Sequence, residues 1–184
     1  ISIFFVAILS ISNVALAQSP PPNDECYDAT ISYVGANSFD STDATPSWQQ
    51  DPDDNQCAGT WLTWNNSPDI WFKFTPTIGG DYSFSTCDID SYDTSIVLYS
   101  ADPFYDCDYL TQEACNGDAV DSTGCQPYHS EMEHTLTANV NYYIRIGSYG
   151  GSYSGPGTLT ITDLGGGGSN GVWYVNASNT NPNG

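Results

Sequence analysis

The chain has 184 residues, with 22 Asp and Glu set against only two basic residues, and a formal net charge of −20. That balance excludes nucleic acid, whose phosphates need Lys and Arg for neutralisation, and it excludes anionic membrane surfaces for the same reason. Self-repulsion on this scale has to be offset by salt, bound cations or disulfides, while 13 Tyr, seven Phe and five Trp supply apolar area that disordered chains lack.

Residues 1–17 are apolar and uncharged and end in Ala15-Leu16-Ala17, the small-x-small pattern of a signal-peptide cleavage site. Ser10, Ser12 and Asn13 interrupt the run, which argues against a membrane anchor. Without Met or a basic n-region, the segment reads as a signal peptide truncated at its start. Residues 18–22 form a proline-rich lead-in.

Segments rich in β-branched and aromatic residues, bounded by Gly, Pro, Asn or Asp, then predict strands over 29–34, 36–40, 69–75, 80–86, 94–100, 133–136, 141–149 and 157–163. In the third, Ile70, Phe72 and Phe74 share one face. Tyr82 and Phe84 do so in the fourth, and 94–100 is continuously apolar, as in an internal strand. Residues 101–126 carry three cysteines and many acids and read as a long stapled excursion. Tyr149, Gly150, Gly151 and Tyr153 form a turn before the last strand. No stretch has apolar residues at helical spacing, so the class is all-β, a sandwich or a barrel. Residues 23–163 make this domain and 164–171 a glycine-rich linker. Residues 172–184 resume strand character and read as the start of a truncated second domain, covalently linked downstream.

Six cysteines, Cys26, Cys57, Cys87, Cys107, Cys115 and Cys125, point in an exported chain to three disulfides among 15 possible pairings. A zinc site would need close Cys-x-x-Cys pairs or a His cluster, and the sequence has neither.

Two constellations stand out as candidate sites. Asp88, Asp90 and Asp93 precede one strand, and Asn116 and Asp118 sit in the Cys115 turn. Calcium takes six to eight oxygens from such groups, although Asp and Asn in turns also satisfy local backbone. Trp48, Trp61 and Trp64 lie in a loop-like region beside Cys57. They form either a surface for sugar or peptide contact or a second core over the open end of the sandwich. His129 and His134 flank Ser-Glu-Met-Glu at a spacing that does not fit His-Glu-x-x-His. A strand there puts Met132, His134 and Leu136 on one face and Glu131, Glu133 and Thr135 on the other. No Gly-x-Ser-x-Gly elbow or phosphate loop is present, so the segment reads as non-enzymatic.

Asn23-Asp24-Glu25-Cys26 after the prolines, Phe39-Asp40-Ser41-Thr42, Asp69-Ile70-Trp71-Phe72, Ser85-Thr86-Cys87, Asp93-Thr94-Ser95-Ile96-Val97-Leu98-Tyr99, Cys115-Asn116-Gly117-Asp118 and Tyr142-Tyr143-Ile144-Arg145-Ile146-Gly147 follow in order. The set resembles the bacterial pre-peptidase C-terminal-like domains over residues 20–163, with Gly117 displacing the second aspartate of their Cys-Asn-Asp-Asp turn. The short stretch from Trp173 to Ser178 resembles the start of right-handed parallel β-helix domains.

The first resemblance implies a jelly-roll-like antiparallel β-sandwich stapled by disulfides. It implies a non-catalytic accessory module of a secreted or cell-surface bacterial protein, serving substrate or surface attachment or secretion, with structural calcium in some relatives. The partner would be an extracellular polysaccharide or a protein surface. The alternatives are a targeting domain for an extracellular peptidase or polysaccharide-degrading enzyme, or a ligand-free spacer. For such a module the expected pairing is Cys26 with Cys57, Cys87 with Cys115, and Cys107 with Cys125.

Overall fold

A computed structural model describes residues 19–57, 59–119 and 125–166. The signal peptide expected over 1–17 and the second-domain start at 172–184 lie outside the described residues, as does most of the linker.

Nine strands form: β1 (Thr30–Ile31), β2 (Gly35–Asp40), β3 (Ile70–Phe74), β4 (Gly80–Ser85), β5 (Thr94–Asp102), β6 (Asp106–Asn116), β7 (Glu131–Leu136), β8 (Tyr142–Ser148) and β9 (Pro156–Gly165). One sheet has the order β1-β3-β8-β5-β6 and the other β2-β9-β4-β7. With β1 set aside, these two orders are those of a jelly roll, the eight-stranded double sheet made of two Greek keys. β1 adds to the edge of the first sheet by pairing in parallel with β3, so the sandwich is not antiparallel throughout.

The alternation in the sequence explains the inner core. Ile70, Phe72 and Phe74 from β3, Tyr82 and Phe84 from β4, and Ile96 and Leu98 from β5 meet Ile144, Ile146, Leu159 and Ile161 between the sheets. Full burial of each such side chain stabilises by about 1.5–3 kcal/mol. β7 is the edge of the four-stranded sheet, with Met132 and Leu136 buried and Glu133 exposed, as its alternation predicts.

The five-stranded sheet is covered on its outer face as well. Trp71, Val97, Tyr99 and Tyr143 point outward and pack with Leu62, Trp64 and the Cys26, Cys57 and Cys107 sulfurs in a second core. β8 is consequently buried along its whole length. The Asn23-Asp24 motif fastens this cover. Asn23 Nδ2 donates to the Trp71 carbonyl at 3.1 Å, and the Trp71 N–H returns a bond to the Asn23 carbonyl at 2.9 Å. The Asp24 carboxylate accepts from the Thr45 N–H and hydroxyl, both at 2.6 Å.

Three expectations are corrected. The excursion at 101–126 contains β6, an 11-residue strand. It lies at a sheet edge with half-exposed polar residues on both faces, so it carries no alternation to read. β9 runs through Gly165, so the first two residues of the expected linker are strand.

The third correction concerns the disulfides, which are Cys26–Cys107, Cys57–Cys115 and Cys87–Cys125, with Cα–Cα separations of 5.9, 5.6 and 4.6 Å. None of the three expected pairs forms. The reason lies in β6: a strand holds Cys107 and Cys115 about 26 Å apart at ~3.3 Å per residue. Each therefore bonds to whatever covers its own end, the Cys26 turn at one end and the Cys57 loop at the other.

Candidate functional site

The three candidate tryptophans part company. Trp64 is 1% exposed in the second core. Its ring lies 4.7 Å from the Arg145 guanidinium, so it cannot belong to a binding surface. Trp48 and Trp61 are exposed, at 58% and 68%, but they face different clefts.

The Trp48 cleft has a volume of about 460 Å³ and is lined by Trp48, Gln49, Asp51, Asp53, Tyr109 and Gln112 among others. Trp48 stacks on Tyr27 with ring centroids 6.4 Å apart and planes 19° from parallel. Two attachments hold the wall of the cleft to the sandwich. Asp53 and Gln112 exchange hydrogen bonds, N–H to Oε1 at 2.9 Å and Nε2 to carbonyl at 3.2 Å. The Gln50 carbonyl accepts from Arg145 Nη1 at 2.9 Å. In the same cleft, the side-chain amide of Gln49 is buried at both its oxygen and its nitrogen, with no partner for either among the described residues. Burying an amide without protein partners is costly, so such a group calls for a bound water or a ligand to satisfy it.

The Trp61 cleft has a volume of about 380 Å³ and is lined by Trp61, Tyr128 and Tyr149 together with Asp93 and Asp118. Four chain segments converge here through backbone hydrogen bonds. The Tyr149 N–H donates to the Asp93 carbonyl at 3.2 Å, the Thr94 N–H to the Tyr128 carbonyl at 3.1 Å, and the Gly150 N–H to the Thr63 carbonyl at 2.6 Å. The Gly117 N–H donates to Thr60 Oγ1 at 3.2 Å. Gly117 is required there, because a Cβ would lie 2.5 Å from Leu62 N and 2.6 Å from the Thr60 carbonyl oxygen. Burial raises the Asp93 carboxyl above the usual carboxylate range, Asp118 adds to the shift by repulsion, and His129 opposes it. Burial raises Asp118 as well.

The five candidate calcium ligands are not gathered at one point. Asp88 Oδ1 accepts from the backbone N–H groups of Asp90 and Ser91 at 2.9 and 2.6 Å. Burial acts upward on its carboxyl, but the hydrogen bonds from the Ser91 and Asp90 backbone outweigh that and hold it below the usual range. Asp90 is exposed. Asn116 is engaged with the Glu131 N–H at 3.1 Å and the Asp118 carbonyl at 3.2 Å. Asp93 and Asp118 share the Trp61 cleft, and among the described residues no three His, Cys, Asp or Glu side chains form a metal-sized group.

Gln49 and Tyr128 escape the sequence reading, and Tyr149 enters it only as a turn residue. Gln49 looks like any loop glutamine, and the two tyrosines come from segments about 20 residues apart that only the β7–β8 return brings together.

No family model matches the chain, and no curated protein does. Among solved structures it is similar to the pre-peptidase C-terminal domain of a collagenase from Bacillus anthracis, with 11% identity and a TM-score of 0.41, covering 73% of this chain and 94% of that one. A likeness of that degree transfers no residue and no ligand to this chain. No helix among the described residues is long and apolar enough to cross a membrane.

Proposed function

We propose that this chain is an extracellular, non-catalytic attachment module that contacts a polysaccharide through the Trp48 cleft. The observation that carries the reading is Gln49, whose buried amide has neither donor nor acceptor satisfied and lies beside an exposed tryptophan. A sugar ring offers what both groups lack: an apolar face for Trp48 and hydroxyls that both donate to and accept from an amide. Three disulfides support an oxidising compartment. Both histidines of the chain have a structural contact through Nε2. His129 is buried with Nε2 3.0 Å from the Ser91 carbonyl, and His134 Nε2 lies 3.7 Å from Glu113. Among the described residues no Ser, Thr or Cys side chain is hydrogen-bonded to either imidazole, and this favours binding over catalysis.

The test is retention on a panel of insoluble polysaccharides and on collagen, comparing the natural chain with Trp48→Ala and Gln49→Ala. Retention on a polysaccharide that falls roughly fivefold to tenfold in Trp48→Ala supports the reading. Retention unchanged by either substitution sinks it. Binding to collagen alone would point to a protein-surface module, and no retention at all to a spacer.

A further inference from the structure

The Trp61 cleft shares no lining residue with the Trp48 cleft and has a different chemistry. Its walls are three exposed aromatic side chains, Trp61 at 68%, Tyr128 at 63% and Tyr149 at 46%, and its acids are Asp93 and Asp118. The aromatic faces present negative quadrupoles and the two carboxylates full negative charge, so every wall favours a positive group. We propose that this cleft is a receptor for an arginine side chain of a basic partner, the guanidinium stacking on the aromatic walls while Asp93 and Asp118 accept its N–H groups.

Three observations carry this choice. First, the molecule already builds the same arrangement internally. Arg145 lies 4.7 Å from the Trp64 ring and 5.0 Å from the Trp71 ring, and donates to Asp69 at 2.8 Å. A planar fork that stacks and bonds at once suits such a site better than a point charge. Second, neither basic residue within residues 1–184 is free to fill the cleft. Arg145 is buried against Asp69, and Lys73 is paired with Asp106 at 3.4 Å. A net charge of −20 draws basic partners in. Third, the cleft is fixed from outside. The Cys57–Cys115 disulfide and the Gly117 contact clamp the Trp61 loop onto the turn carrying Asp118. The Trp61 and Tyr128 backbones are held at φ 59° and 74°, a region bulky residues rarely occupy.

The experiment is an amide NMR titration of the disulfide-bonded chain with N-acetyl-arginine amide at constant ionic strength. N-acetyl-citrulline amide serves as the neutral isostere and calcium chloride as a competitor. The expected result is saturable shifts at the amides of Asp93, Asp118, Tyr128 and Tyr149 with the arginine probe, at least about tenfold weaker with citrulline. Trp61→Ala should weaken binding roughly threefold to tenfold, and Asp93→Asn with Asp118→Asn should abolish saturation in a spectrum that stays dispersed. Equal binding of citrulline, diffuse unsaturable shifts over the whole surface, or full binding by the double variant would overturn the proposal. So would calcium saturating the same amides while arginine fails to compete. Polysaccharide retention through Trp48 is independent of all these outcomes.

Discussion

Arg145 Nη2 donates to Asp69 Oδ2 at 2.8 Å beneath the loop that covers the outer sheet face, with both side chains essentially inaccessible to water. The pair is enclosed on all sides: Trp64 and Trp71 flank the guanidinium, the Gln50 carbonyl accepts from its other arm, and Ser47 bonds the Asp69 carboxylate. Trp71 Nε1 donates to the Ser47 hydroxyl at 2.6 Å, closing the network onto β3. The charge pair thus holds the 29-residue segment 41–69, between β2 and β3, against a sheet face that would otherwise be open.

Removing one member of a buried pair strands the other charge, at a cost of about 3–5 kcal/mol. Arg145→Met and Asp69→Asn should each destabilise the fold by that order in denaturant unfolding. The double variant should lose less than the sum of the two, because neither charge is then left unpaired. Additive losses would mean that the two side chains act independently, contrary to the geometry.

The disulfide pattern is open to direct chemistry. Non-reducing peptide mapping should recover Cys26–Cys107, Cys57–Cys115 and Cys87–Cys125. The first closes the longest loop, 81 residues, and its removal by Cys26→Ala with Cys107→Ala should cost about 4 kcal/mol on the chain-entropy account. A fragment joining Cys107 to Cys125, or Cys26 to Cys57, would contradict the placement of β6.

What the sequence revealed and what it hid follow one physical line. β4 is legible because its large apolar side chains, Tyr82 and Phe84, fall on one face at a period of two, and β3, β5 and β8 because burial of both faces makes near-continuous apolar and aromatic runs. β6 is hidden because an edge strand with polar residues on both faces has no period, and the disulfide pairing was hidden with it. Trp64 and Trp61 sit three residues apart in the same loop-like sequence, yet one is core and the other cleft wall. The difference lies in Arg145, about 80 residues away, which draws Trp64 inward. Convergences of this kind, Tyr128 with Tyr149 included, are fixed by topology rather than by any local signal.

Gly117→Ala is a small change with a large expected effect. The added methyl would meet the backbone of Leu62 and Thr60, which cannot rotate away as a side chain could. The loop must shift, at roughly 1–3 kcal/mol for an overpacked site. Thermal unfolding should register the loss, and the arginine probe should bind more weakly because Trp61 moves with the loop. Unchanged stability would mean that the loop does not rest on Gly117.

Tyr99 offers a pH test of the covered sheet face. Its phenol is pushed up to about 12, chiefly by burial in the second core, with the neighbouring Arg145 cation pulling the other way. An unfolded tyrosine ionises near 10. The group therefore favours the folded state fully below about pH 10, where both states keep the proton. Between there and its folded value of about 12 the unfolded chain alone sheds the proton, and stability falls as pH rises. Urea unfolding from pH 8 to 11.5 should show this decline, and Tyr99→Phe should flatten part of it while leaving the behaviour near neutral pH parallel to that of the natural chain. The tyrosinate absorbance of Tyr99 should likewise appear only with unfolding. A Tyr99→Phe chain with the same alkaline slope would place the phenol in contact with water and the cover off the sheet.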